Sequence, residues 1–110
     1  TKVQYVGSIP FIAQIVDTEE LNALSKQLAQ ELSSYVVILA YTIKERCHVM
    51  IRVSKDLSQK GIFASSLIKE IAPIILGSGG GKKETAQAGG KNPEGLLQAF
   101  EQVQKCLQNA

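Results

Sequence analysis

The sequence has no tryptophan, one histidine, one methionine and two cysteines in 110 residues. So little cysteine excludes the cross-linked class of small secreted domains, and Cys47 and Cys106 belong to no C-x-x-C pair. They read as reduced, buried thiols, which fits a cytoplasmic compartment. His48 has no Cys, His or carboxylate beside it at a metal-ligand spacing, so neither a metal site nor a histidine-based acid–base centre is expected. Long apolar runs are missing too. The longest, around Val36–Leu39, is far shorter than the ~18 residues of a membrane span, and no signal-peptide pattern is present. Nor does one sign of charge dominate. Twelve Lys and Arg against ten Asp and Glu leave a net +2. The isoelectric point of 8.6 falls below the value of about 9 that marks a strongly basic nucleic-acid binder. No nucleophile–base pair is visible, and these residues alone are expected to form no catalytic centre. The chain opens on Thr rather than Met and is expected to be a piece of a longer one.

What is present is an ordinary globular pattern, 45% apolar and 20% charged, of a length that makes one domain. "IPFIAQIV" (9–16) reads as a strand. Asp17 and Glu20 form a capping-box pattern ahead of Leu21, Leu24, Leu28 and Leu32, an apolar stripe at helical spacing. "YVVILAY" (35–41) is a continuous apolar strand of the kind covered on both faces. Thr42–Arg46 makes a tight link to "CHVMIRV" (47–53), which alternates as a half-exposed or edge strand; the two predict a hairpin. Ser54–Gln59 reads as a polar turn. Gly61–Leu76 is helical in period, with Pro73 positioned to kink or end the helix. Thr85–Ala88 fits a short strand, and Asn92-Pro93-Glu94 is a helix start followed by the stripe Leu96, Phe100, Val103, Leu107. The predicted class is α/β (α+β): one domain, a mixed sheet of roughly four strands with three helices, in the order β-α-β-β-α-β-α. A ferredoxin-like split βαβ with an extra helix fits the same order.

The most unusual stretch is "GSGGGKKETAQAGG", residues 77–90, which holds six of the nine glycines. It is not an NTPase phosphate loop. With Gly81-Lys82 as the closing pair, the first glycine would fall at Leu76, and Lys83 stands where Ser or Thr is required. Nor is it a dinucleotide fingerprint: the third glycine would fall at Lys82, and the run follows a helix rather than a strand. What remains is anion chemistry. Consecutive glycines such as Gly79, Gly80 and Gly81 can expose successive backbone N–H groups. Lys82 and Lys83 add charge beside them, and Gly89, Gly90, Lys91 and Asn92 lead into a second electropositive helix start. Gln87 could bond a ribose or a base edge. Tyr35 and Tyr41 could stack on unpaired bases or simply serve as core.

These same residues, "GSGGGKKETAQAGGKNPEGLLQAFEQV", with "VSKDL" at 53–57 and "LIKEIAP" at 67–73, resemble the closing segment of bacterial alanyl-tRNA synthetases, the DHH-associated domain. The resemblance covers Ile9 to Leu107. It implies residues 9–110 as a C-terminal globular domain, with residues 1–8 a lead-in from an upstream segment. It implies binding of the outer corner of tRNA(Ala), contact with other domains of the same chain, no membrane partner, and dimerisation through an upstream helical segment. ATP, Mg and Zn would serve other domains of the parent, with no cofactor in this one. DHH-type phosphoesterases carry the same domain, with His after the glycines to contact a substrate phosphate. This chain has Lys82 there, and Lys82-Lys83 where many synthetases have Arg-Pro. The resemblance therefore implies tRNA or phosphate contact by Gly79–Lys83, Gln87 and Gly89–Asn92. A phosphoesterase substrate domain, or a dimerisation module using the Leu96–Leu107 stripe, stands as the alternative.

Overall fold

The computed structural model describes residues 3–109. In chain order the elements are β1 (Gln4–Val6), β2 (Ile9–Ile15), α1 (Leu21–Ala29), β3 (Val36–Ile43), β4 (Arg46–Val53), α2 (Lys55–Gln59), α3 (Ala64–Ile71), β5 (Gly77–Gly81), β6 (Thr85–Gly90), a short 3-10 turn (Pro93–Gly95) and α4 (Leu96–Gln108). The strands form one sheet in the order β1-β2-β3-β4-β6-β5. Among the described residues only β2 and β3 run parallel; every other pairing is antiparallel.

The mixed α+β class stands, but the strand count is corrected from four to six. Both extra strands lack the signals that sequence reading uses. β1 has three residues, Gln4–Val6, folded onto β2 through a turn in which Gly7 takes φ +64°; it lies within the stretch read as a lead-in. β5 is "GSGGG", which has no side-chain alternation at all. The helix count rises because Lys55–Gln59, expected as a polar turn, closes one short helix. Adjacency of the parallel pair β2 and β3 excludes the split ferredoxin-like arrangement, which needs a strand between them.

The two sheet faces bury different residues. On one face Phe11, Val36, Ile38, Val49 and Ile51 pack with Ile68, Ile71, Phe100 and Val103 of α3 and α4. On the other, Ile12, Val37, Leu39 and Met50 pack with Leu21 and the partly buried Leu24, Leu28 and Leu32. β3 is therefore covered on both sides, as its unbroken apolar run predicts. The predicted hairpin joins β3 to β4 through Lys44–Glu45, with Lys44 at φ +55°. β4 is not the edge strand expected. It lies between β3 and β6, and Met50, assigned to its outer face, is buried beneath α1 with Ser25 Oγ 3.7 Å from its sulfur. The α4 stripe of Leu96, Phe100, Val103 and Leu107 is core, not a free interaction surface.

Two predicted caps differ from the structure. α1 begins at Leu21 with Glu20 as N-cap and no side-chain cap bond. Asp17 lies outside it, because Val16 N–H still bonds Ala40 O at 2.7 Å and holds the chain in the sheet. Asn92 does not cap with its side chain either; its Nδ2 donates to Ile74 O at 3.1 Å. Pro73 acts as expected: α3 ends at Ile71, two residues before it.

Candidate nucleic-acid interface

The glycine run is an edge strand. Its register pairs Gly77 with Gly90, Gly79 with Ala88 and Gly81 with Ala86, and β6 is in turn locked to β4. A nest of successive amides, the geometry expected from sequence, is therefore absent here. An extended strand points its N–H groups alternately toward its neighbour and away. The glycines answer to packing instead. A methyl on Gly79 would sit 2.5 Å from Ala88 Cβ, and one on Gly77 would overlap the Gly89 carbonyl. Gly90 is buried, and a methyl there would overlap the Ile75 carbonyl oxygen and lie 2.8 Å from Ile75 Cγ1. At Gly80, by contrast, the space is open.

Register also decides which side chains share the outer face. Met50 faces Gln87, which faces Gly80; His48 faces Gly89, which faces Ser78. Met50 is buried beneath α1, so Gln87, Gly89, Ser78 and Gly80 lie on the α1 side of the sheet. α1 packs on β3 and β4 on that side, and β5 is exposed along its whole length. The N-terminal part of α1 and this edge thus form the walls of a groove. Arg52 fixes one wall, donating from Nε to Ser25 Oγ at 2.9 Å and from a terminal nitrogen to Asn22 Oδ1 at 2.6 Å.

The predicted cations do not form one cluster. Lys82 and Lys83 lie in the turn of the β5–β6 hairpin, while Lys91 follows the far end of β6. Six residues of strand at ~3.3 Å each put them about 20 Å apart. That exceeds the Debye length of about 8 Å at physiological salt, so the two ends act as separate charges. At the hairpin end, the Lys82 and Lys83 carbonyls accept from Ser65 N–H at 3.2 Å and Ala64 N–H at 2.8 Å, serving the first turn of α3. The Lys83 ammonium lies 5.3 Å from the centroid of the Phe63 ring. Gly80, Gly81, Lys82 and Gln87 line one cleft with Asn22 and Thr85. At the other end Lys91 meets Arg46 across a 770 Å³ cleft walled by Gly77, Ser78, Gly89 and Gly90. Gly79 lies outside both clefts, and Asn92 is committed to Ile74.

Sequence reading missed Arg46, Ser78 and His48, whose ring stacks on Tyr41 with centroids 4.9 Å apart and planes 15° from parallel. The alternation of "CHVMIRV" gave the face of His48, but only the β4–β6 register brings it to Gly89. Tyr35 packs against the α1-side core. Cys47 lies behind the Arg46 cleft, its thiol donating to Gly90 O at 3.8 Å. Burial raises its pKa, outweighing that hydrogen bond, so it stays a neutral thiol at pH 7 rather than a nucleophile or ligand. Among the described residues, no three His, Cys, Asp or Glu come together as a metal site, and no helix is long and apolar enough to cross a membrane.

The family model of the DHHA1 domain matches residues 3–109. The chain belongs to the DHHA1 domain family. Among curated relatives, the alanine–tRNA ligase of Desulforamulus reducens is 38% identical over 96% of this chain. That of Roseiflexus castenholzii is 39% identical, also over 96%. This DHHA1 domain spans 12% of the length of each. Among solved structures, the C-Ala domain from Aquifex aeolicus alanyl-tRNA synthetase superposes with a TM-score of 0.89 at 31% identity, covering 98% of this chain and 99% of that one. A DHH-domain protein described as a member of the s1p family of ribosomal proteins shares the fold alone, with a TM-score of 0.64 at 12% identity over 91% of this chain and 26% of that one.

Proposed function

We propose that this DHHA1 domain is a tRNA-binding module of an alanine–tRNA ligase, holding tRNA(Ala) for chemistry done by other domains of the parent chain. The observation that carries this reading is the placement of Lys82 and Lys83 in the turn at one end of the β5–β6 hairpin, whose β5 strand is exposed, and of Arg46 and Lys91 in the cleft at the other end. That the matched curated relatives are alanine–tRNA ligases supports tRNA as the polyanion. Four ammonium and guanidinium groups on ordered strand ends give position on a phosphate backbone rather than base readout. Arg46 adds a planar fork able to grip one phosphate through two N–H groups, which the lysines lack. On this reading ATP, magnesium and zinc serve other domains, and the compartment is the cytoplasm.

The test is tRNA binding as a function of salt. Four phosphate contacts predict a log–log slope of roughly −3 to −3.6. Lys82→Ala with Lys83→Ala should reduce the slope by about 2, and so should Arg46→Ala with Lys91→Ala, because the ends are screened from one another. Binding and slope left intact by both double variants would remove this surface from the interface.

A further inference from the structure

The Arg46–Lys91 cleft does not end at His48. A second cleft of 380 Å³ adjoins it, and the two share His48, Ser78 and Gly89 as a common wall. Both volumes lie in the range that small ligands fill. Their charges are segregated. The first is lined by Arg46 and Lys91 and no carboxylate; the second by Glu19 and Glu20 and no Lys or Arg, with Asn22 and Gln87 adding amides. Between them stands the Tyr41–His48 stack, with His48 exposed. The absence of a side chain at Gly89 keeps the shared wall low: a methyl there would lie 3.6 Å from the imidazole ring.

We propose that the two clefts form one subsite for an unpaired ribonucleotide of the bound RNA, an inference that rests on the RNA-binding reading above. A phosphate flanked only by cations and a neighbouring pocket of acceptors match the two halves of a nucleotide. The phosphate lies between Arg46 and Lys91. The ribose hydroxyls donate to the Glu19 and Glu20 carboxylates, which would repel a phosphate and so fix the orientation. The base stacks on the exposed face of His48, as unpaired RNA bases do on aromatic rings, with the Gln87 amide at its edge. The 2′-hydroxyl is the donor that DNA lacks, so these carboxylates select RNA.

Titrations followed by NMR with inorganic phosphate, adenosine 5′-monophosphate and its 2′-deoxy analogue test this directly. Phosphate should move the Gly77, Gly90 and Lys91 amides alone. The ribonucleotide should also move those of Glu20, Asn22 and Gln87, and bind about fivefold tighter than the deoxynucleotide. Glu19→Gln with Glu20→Gln should bring that ratio to about one, while Arg46→Ala should weaken both nucleotides equally, by about tenfold. Equal affinities for the two nucleotides in the unaltered protein, or shifts confined to the Arg46 side, would reduce the subsite to an anion site and overturn the proposal. Salt-dependent tRNA binding alongside that result would leave the RNA-binding reading standing; no tRNA binding at all would end both.

Discussion

Gly90 and Gly80 belong to the same hairpin yet should respond oppositely to a single methyl group. Gly90 is buried with its missing Cβ directed at the Ile75 carbonyl and side chain, and Ile75 is itself completely buried. Neither group is the free end of a flexible side chain, so Gly90→Ala must displace β6 or the segment before β5. Such overpacking costs typically 1–3 kcal/mol, and the upper part of that range applies where backbone is the obstacle. With an m value of about 1.5 kcal/mol/M, a loss of about 2–3 kcal/mol lowers the urea midpoint by about 1.3–2 M. At Gly80 a methyl meets nothing within 4 Å. Alanine there restricts the unfolded chain and should leave stability unchanged or raise it by up to about 1 kcal/mol. The assay is urea unfolding of both variants against the parent. Equal losses at the two positions, or a Gly90→Ala midpoint within about 0.3 M of the parent, would show that the glycine run is not the packed edge strand described.

Lys82 and Lys83 should separate in stability although both belong to the proposed binding surface. Lys83→Ala removes the ammonium beside Phe63 and should cost about 0.5 kcal/mol, whereas Lys82→Ala should leave the thermal midpoint unchanged. The Asp56 carboxyl is held below its usual value by the Ser34 hydroxyl first and the Ser54 hydroxyl second. A depressed folded value means that its stabilisation is present above about pH 4 and lost as pH falls through the folded pKa. Ser34→Ala should therefore flatten the acid limb of a stability–pH curve, and an unaltered limb would remove Asp56 from the account. Both cysteines have raised pKa values, from burial at Cys47 and from burial followed by the Glu70 charge at Cys106. Of the two thiols expected to be buried, Cys47 is and Cys106 is only partly so; disulfide reagents should label Cys47 slowly at pH 8 in the folded protein and quickly in urea, and fast labelling of Cys47 in the folded protein would contradict its burial.

Much of the fold was legible wherever side chains carry a period. The α1 leucines, the apolar run of β3, the alternation of β4 and the Pro73 stop each announce an element through burial or backbone chemistry. Legibility failed where the determinant is a partner distant in sequence. The "GSGGG" strand has one side chain and so no alternation to read, and its pairing with β6 leaves no room for a Cβ at Gly77, Gly79 and Gly81. Ser54 looked like part of a turn, but its hydroxyl accepts from Tyr35 N–H at 3.1 Å while its backbone opens α2. In the candidate site, Lys82, Lys83 and Lys91 were found from composition and from the family resemblance. Their division between two ends required the β5–β6 register. Arg46 and His48 were hidden for the same reason, since one sequence does not say which strand lies beside β4.

The claim on which the account turns is that RNA meets the β5–β6 edge. An NMR titration of the domain with tRNA(Ala) tests it most directly. The account predicts that the amides of Ser78, Gly80, Gln87, Gly89 and Lys91 shift, while those of β1 and the exposed side of α4 stay in place. Shifts in β1 or α4 with an unmoved hairpin would contradict it.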